Sequence, residues 1–237
     1  MKINLILLAG GTGTRFGASI PKQFVEVESK PIIIYTLEKL RESKIDNIII
    51  VCISDWIEHL NNLIQKFNIN LNIRIIPGGN SAHSSIYKGL LEIEKNSNND
   101  DIVVIHDAVR PLVPAEIIDS AVDSAIKYGN GCASLKTIEG LVVKDDEIHG
   151  SIIADRYNIM RIQTPQAYNF RLLKKLYDNA AKEGKEYPYA DGICLNNNVP
   201  IYFSKSFTAN TKITTKSDIA IFKALLHFTD KELLGEE

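Results

Sequence analysis

Cysteine is scarce. Cys52, Cys132 and Cys194 stand far apart and form no CxxC pair, which excludes a disulfide framework and a zinc ribbon and suits a reducing cytoplasm. Neither sign of charge is in excess: 27 Lys and Arg stand against 29 Asp and Glu, a formal net charge of −2. Without a basic surplus to neutralise a phosphate backbone, nucleic acid is not expected as a bulk partner. No apolar run approaches the roughly 20 residues that a membrane-spanning helix needs. Met1-Lys2-Ile3-Asn4 enters the first apolar stretch without the h-region and cleavage site of a signal peptide. The expectation is a soluble, cytoplasmic protein with no membrane partner. Repeats, linkers and low-complexity blocks are missing too. The chain therefore reads as one domain over 1–237, long enough to bury a sizeable core.

Two familiar nucleotide loops are also lacking. The stretch from Leu8 to Phe24, LAGGTGTRFGASIPKQF, follows the apolar run Asn4–Leu8, which reads as a buried strand. A dinucleotide fingerprint counted from Gly11 needs its third glycine at Phe16, but that glycine falls at Gly17. The Gly-Lys-Ser/Thr of a P-loop does not occur. What stands there is Gly10, Gly11 and Gly13 with the cations Arg15 and Lys22. Glycines let backbone N–H groups close on an anion without a Cβ in the way, and the cations reach where those donors cannot. A triphosphate suits this combination best; a plain strand-to-helix turn would need fewer glycines and no cation pair.

Beyond this loop, strand and helix patterns alternate. Pro31–Arg41 reads as a helix with Pro in its first turn, and Ile48–Ile53 as a strand. Asp55 is placed to cap a helix from Trp56 to Phe67. A short strand, Ile73–Ile76, is broken by Gly78-Gly79; a helix follows over Ser84–Glu94. Then come a strand over Ile102–Ile105 ending at His106-Asp107, and a helix opened by Pro114 and running to Tyr128. Repeated βα units with continuously apolar strands predict an α/β fold, a Rossmann-like, mostly parallel sheet with helices on both faces. Such sheets bind ligands at the carboxyl ends of their strands, where the loops after Leu8, Ile76 and Ile105 would lie.

From about 133 to 153 the rhythm breaks into an expected hairpin, Leu141-Val142-Val143 and Ile148–Ile153 around a polar turn, adding little to the core. The remainder reads as a helix over Phe170–Lys182, a polar stretch to Asp191, a strand at Ile201–Phe203 and a helix from Ser217 to Phe228. His106-Asp107-Ala108-Val109-Arg110-Pro111 closes a strand with a carboxylate and a guanidinium three apart, placed to meet a ribose hydroxyl, a polyol or a phosphate, or to form a local ion pair. His83 reads as a loop residue rather than an acid or base.

The loop with Pro21-Lys22-Gln23-Phe24 resembles the signature of sugar-phosphate nucleotidyltransferases, and most closely the small CTP-using branch of methylerythritol-phosphate and ribitol-5-phosphate cytidylyltransferases. Five further segments resemble that family: Gly78–Ser85, His106–Pro111, Asp155-Arg156, Gln163–Tyr168 with its Thr-Pro-Gln-Tyr-like turn, and Thr208–Thr215. The Val109 form, with Trp56 and His59, leans toward the ribitol-phosphate branch. The resemblance implies a nucleotidyltransferase fold with a protruding β-arm through which a homodimer forms; a surface hairpin on a monomer is the alternative. It implies a CTP-dependent cytidylyltransferase that joins CMP to a sugar-alcohol phosphate, ribitol 5-phosphate first and methylerythritol 4-phosphate second. Mg²⁺ would be bound through the CTP phosphates, without a protein metal site.

The nucleotide would meet Leu8, Ala9, Gly10, Gly11, Gly13, Thr14, Arg15, Lys22, Gly79, Asn80, Ser85, Asp107 and Ala108. The acceptor would meet Asp107, Arg110, Arg156, Asp191 and Lys212. Arg15, Lys22, Arg156 and Lys212 would serve catalysis, Arg156 from the partner subunit. A departure at Ala82, where the family usually has Arg, bears on how the base is read; those at Glu139-Gly140 for Asp-Thr and at Ala190 for Thr remove two hydroxyls, so the acceptor is expected to be read differently. A nucleotide-binding regulator without catalysis and an NAD-dependent reductase are the readings from other classes; intact Arg15, Lys22 and Lys212 oppose the first and the displaced Gly17 the second.

Overall fold

A computed structural model of the chain describes residues 1–11 and 20–235. Gly13, Thr14 and Arg15 of the Gly-rich loop lie outside the described residues.

The central strand is β1 (Ile3–Ala9), INLILLA, buried along most of its length. Its side chains alternate between two cores. Leu5 and Leu7 face one with Ile33, Leu37 and Ile118, and Ile6 faces the other with Ile86, Leu90 and Leu173. Both faces are apolar because both are covered, as the continuous Leu/Ile run requires; each such buried side chain contributes about 1.5–3 kcal/mol.

After β1 come a short hairpin, β2 (Glu26–Val27) and β3 (Lys30–Pro31), and α1 (Ile32–Lys39). The βα rhythm then continues through β4 (Asn47–Cys52), α2 (Ile57–Lys66), β5 (Ile73–Pro77), α3 (Ala82–Glu94), β6 (Ile102–Asp107) and α4 (Ala115–Tyr128). Next are β7 (Asn130–Lys136), the two-stranded arm of β8 (Leu141–Val143) and β9 (Ile152–Ala154), and β10 (Met160–Asn169). The chain closes with α5 (Phe170–Glu183), α6 (Ala190–Asn196), β11 (Phe203–Ser204), α7 (Lys216–Leu225) and α8 (Asp230–Leu234). The main sheet has the order β11-β7-β10-β6-β1-β4-β5. All its pairings are parallel except those of β10, which runs antiparallel between β6 and β7. It is the mostly parallel, helix-covered sheet the sequence predicts.

Several local expectations are corrected. Asp55 caps nothing: it sits in a 3₁₀ turn, Ser54–Trp56, and α2 begins at Ile57 with no side-chain cap. Pro31 precedes α1 instead of opening it. Helix α3 starts two residues early because Ser81 caps it, in a capping box with Ser84, which puts His83 in a first turn rather than a loop. The break expected at Ala133 lies after Lys136, since β7 is part of the main sheet with Cys132 and Ala133 fully buried. Gln163–Tyr168 is no turn but the middle of β10, with a register shift between Ile162 and Gln166. Four steps along β10 there match two along β7, so Gln163–Pro165 leave the ladder. The polar stretch before Asp191 ends in α6, and the strand expected at Ile201 reduces to β11.

Candidate active site

The carboxyl ends of β1, β4, β5 and β6 open on a cavity of about 600 Å³. The loop after β5 supplies one wall. A Cβ on Gly79 would stand 2.1 Å from Ser84 Oγ and 2.7 Å from Ser84 Cβ, so only glycine lets this loop lie against the start of α3. Gly79 N–H donates to Ser85 Oγ at 3.0 Å, leaving the Ser85 hydroxyl proton for another acceptor. Asn80, Ser81 and Ala82 continue the wall, and Leu8, Gly10 and Gly11 face them.

Lys22 joins from a 3₁₀ turn, Lys22–Phe24. Packing fixes that turn: Phe24 stacks on Trp56 with ring centroids 4.8 Å apart, His59 meets Phe24 edge-on at 5.3 Å, and buried Gln23 donates its amide to the Ala9 carbonyl at 2.7 Å. Trp56 and His59 thus buttress the loop from behind. Lys22 Nζ donates to the Ile213 carbonyl at 3.0 Å and lines the cavity.

Asp107, the last residue of β6, is the electrostatic centre. Its Oδ2 accepts from Arg110 Nε at 2.9 Å and from the Thr164 hydroxyl at 3.2 Å; its Oδ1 accepts from Lys212 Nζ at 2.8 Å. Arg110 is held in turn by the Asn210 carbonyl at 2.8 Å. Burial alone would raise the carboxyl's pKa, but Lys212 and Arg110 outweigh it and hold the group ionised, well below the usual carboxylate range. The neighbouring His106 is fully buried, and burial above all pushes its pKa down to about 4, so it stays neutral and offers no acid. His83 is likewise a core residue, stacked on Tyr177 at 4.5 Å with its pKa lowered chiefly by burial.

A second cavity, of about 230 Å³, shares Leu8, Ala82, Asp107 and Lys212 with the first and adds Arg110, Thr164, Gln166 and Asp191. Two chambers therefore meet at one wall, and the Asp107–Lys212 pair stands in it. One is walled by glycine-rich loops suited to a nucleotide, and the other is small and mixed in polarity.

Of the residues singled out from sequence, the described part of the structure gathers Leu8, Gly10, Gly11, Lys22, Gly79, Asn80, Ser85, Asp107 and Lys212 at the first chamber, and Asp107, Arg110, Asp191 and Lys212 at the second. Three do not join. Ala108 is fully buried, its N–H donating to the Leu8 carbonyl and its carbonyl accepting from the Thr36 hydroxyl. Ala9 is buried with its carbonyl taken by Gln23. Arg156 is exposed at the base of the arm, donating to the Ile138 carbonyl at 2.8 Å and lying over the Tyr157 ring at 5.2 Å, and it lines neither chamber within the chain. Sequence reasoning missed Gln166 and Tyr189, which line the second chamber. Gln166 stood in a quoted motif without a role; nothing in the pattern marked Tyr189. Among the described residues no group of three or more His, Cys, Asp or Glu side chains could hold a metal ion.

Comparison with known proteins agrees with this geometry. The profile of the family described as IspD, 2-C-methyl-D-erythritol 4-phosphate cytidylyltransferase, matches residues 3–228. The ribitol-5-phosphate cytidylyltransferase of Lacticaseibacillus paracasei is 37% identical over 235 residues, covering 98% of this chain and 100% of that protein. A 2-C-methyl-D-erythritol 4-phosphate cytidylyltransferase of Clostridium botulinum is 31% identical over 226 residues, covering 95% and 97%. Among solved structures, the 4-diphosphocytidyl-2C-methyl-D-erythritol synthase of Anaerococcus prevotii shares the fold, with a TM-score of 0.80 at 24% identity over 95% of this chain and 98% of that one.

Proposed function

The chain belongs to the IspD family of cytidylyltransferases, and from that premise we propose that it transfers CMP from CTP to ribitol 5-phosphate with release of pyrophosphate. The carrying observation is the pair of chambers joined at Asp107 and Lys212: a bisubstrate transfer between two polyanions needs two sites with cations where they meet.

CTP would lie in the larger chamber. Its triphosphate would sit against Gly10, Gly11 and Lys22, with Gly13, Thr14 and Arg15 from the same loop, and its base would face Gly79, Asn80 and Ser85. The acceptor phosphate would lie beside Lys212, with its polyol chain along Asp107, Arg110 and Asp191. An oxygen of that phosphate attacks the α-phosphorus, a new P–O–P bond forms, and the bond to pyrophosphate breaks. The attacking oxygen is already anionic, so no general base is required. The protein's task is to align the groups and to neutralise developing charge. Lys22 and Arg15 would do so along the triphosphate, Lys212 at the acceptor.

Mg²⁺ would enter with CTP, neutralising charge across its phosphates. The donor set fits an ion held by the nucleotide rather than by a protein cage, because Asp107, the carboxylate shared by both chambers, already accepts from two cations.

The domain would span 1–237, with a dimerisation arm within about 133–153, and would work in the cytoplasm; no helix among the described residues is long and apolar enough to cross a membrane. The arm supports a homodimer because it leaves apolar side chains in water: Ile148 is 94% exposed and Ile153 81%. Arg156, at the arm's base, would complete the partner's second chamber. The L. paracasei relative favours ribitol 5-phosphate as acceptor, and the C. botulinum relative supports 2-C-methyl-D-erythritol 4-phosphate as the second reading.

Pyrophosphate release from CTP and Mg²⁺ with each acceptor in parallel tests the proposal. Turnover with ribitol 5-phosphate at the higher kcat/KM is expected. Turnover with methylerythritol phosphate alone would reassign the acceptor, and silence with both would overturn the function.

A further inference from the structure

Asp191 lies half-buried in the first turn of α6 and faces the second chamber. Its Oδ1 accepts from Gln166 Nε2 at 3.3 Å. Gln166 is buried in β10, paired with Ile105 on one side and Cys132 on the other. Its Oε1 accepts from the Tyr168 hydroxyl at 2.8 Å, and Cys132 Sγ lies 3.5 Å from that hydroxyl.

The direction of this chain follows from donor chemistry. An ionised carboxylate only accepts, so the Gln166 amide must turn its NH₂ to Asp191 and its carbonyl to Tyr168. Tyr168 must then give its single proton to Gln166, which leaves the Cys132 thiol to donate to the tyrosine oxygen. Tyr168 is fully buried and lines neither chamber. Phenylalanine would fill the same volume, so the hydroxyl's contribution is to orient one amide.

Several other polar groups in the chamber wall are committed. Gln163 is tied to Ser206 and Asn210, and Thr164 to Asp107, while Ile86, Ile162 and Pro188 bring no polar side chain. Ala190 has no hydroxyl to offer beside Asp191. Among the described residues no hydrogen bond is made to the second Asp191 oxygen. It is a carboxylate oxygen open to a substrate hydroxyl.

We propose that Tyr168 and Gln166 are positioning residues that hold Asp191 to accept a hydroxyl of the sugar-alcohol chain, and that this three-residue chain sets acceptor preference. The inference rests on the cytidylyltransferase function proposed above and names how its second chamber reads a polyol phosphate.

The test is a set of steady-state constants with calorimetric binding of ribitol 5-phosphate, on wild type, Tyr168→Phe, Asp191→Ala and the double variant. Asp191→Ala should raise the acceptor KM and Kd by about 10–100-fold, the range for a hydrogen bond to a charged group. Tyr168→Phe should raise both by about 5–10-fold, with the CTP KM within two-fold. In the Asp191→Ala background, Tyr168→Phe should add less than two-fold, because its only route to substrate has gone. Gln166→Leu should follow Tyr168→Phe and exceed it. Unchanged acceptor binding in Tyr168→Phe, an equal rise in CTP KM, or an effect that survives the Asp191→Ala background would each overturn the inference. Wild type that binds ribitol 5-phosphate but releases no pyrophosphate with either acceptor would defeat the function instead, and the Kd series would still decide the positioning chain. Wild type that binds neither acceptor would overturn both.

Discussion

Replacing Asp107 with Asn would keep the shape at the junction of the chambers and remove the one negative charge that two cations share. Asp107 and Arg110 are both about 90% buried and 2.9 Å apart, so Arg110 would be left with a buried charge and a neutral partner. Breaking such a pair from one side costs about 3–5 kcal/mol. Lys212 adds little to that figure: its side chain is 40% exposed and can return to water, where such pairs are worth about 0–1 kcal/mol. For a chain of this length 1 kcal/mol shifts Tm by roughly 2–4 °C, so Asp107→Asn should melt about 6–20 °C below wild type at pH 7. Burial acts to raise the Asp107 pKa, yet Lys212 and Arg110 depress it below its ordinary 3.8. Its stabilisation is therefore full above that value and is lost as pH falls through 3.8 toward the folded pKa. The gap between wild type and variant should stay flat from pH 5 to 8 and narrow only below about pH 4. Urea melts across that range, with differential scanning fluorimetry at pH 7, provide the measurement. A variant within 2 °C of wild type at pH 7, or a gap that closes near pH 6, would show that the charge cluster is not what holds this junction.

Lys22→Ala should lower turnover roughly 10³-fold, if a preorganised charge on the triphosphate is worth about 3–4 kcal/mol; single-turnover kinetics near the wild-type rate would remove Lys22 from the chemistry. Gly79→Ala would push its Cβ into Ser84, 2.1 Å from Oγ, and displace the capping box of α3. A loss of about 1–3 kcal/mol with a raised CTP KM and an unchanged acceptor KM is expected from melts and kinetics. Ile153→Asp places a charge on an arm residue 81% exposed in the single chain. Sedimentation velocity should show wild-type dimers and variant monomers of similar Tm, and a monomeric wild type would remove the arm from any dimer.

The first half of the fold was legible because its strands are continuous Leu/Ile/Val runs, the mark of a sheet covered on both faces. Strand β7 was not, and the reason is packing. A Cβ on Gly131 would stand 2.4 Å from the Ala121 carbonyl of α4. The helix lies so close that the strand must be built from small residues, and Gly-Cys-Ala-Ser carries no β signal. Strand β10 hid behind Pro165, which ordinarily demotes a strand, and behind the register shift that lets Gln163–Pro165 leave the ladder. Helix α6 is seven residues containing Asp-Gly, too short for periodicity to declare itself.

The site divides along the same line. The chamber proposed for the nucleotide is written locally, in glycines and in a Lys-Gln-Phe turn, because backbone approach to phosphates needs particular residues at close spacing. The chamber proposed for the acceptor is written in pairs that only the tertiary fold brings together. Lys212 and Asp107 are 105 positions apart, and Gln166 and Asp191 are 25 apart on a strand and a helix that the sequence pattern did not show. A loop that must fit a triphosphate is constrained residue by residue. A pocket that must tell one polyol phosphate from another can lose a threonine hydroxyl, as at Ala190, while the adjoining Asp191 carboxylate is held from behind by glutamine and tyrosine. Of the positions where this chain departs from its family, Ala190 lies in the wall of that second chamber, Ala82 in the wall the two chambers share, and Glu139-Gly140 in the lining of neither. A change of acceptor can therefore be made in that wall without touching the Gly-rich loop, and the relatives carry two acceptor names, ribitol 5-phosphate and 2-C-methyl-D-erythritol 4-phosphate.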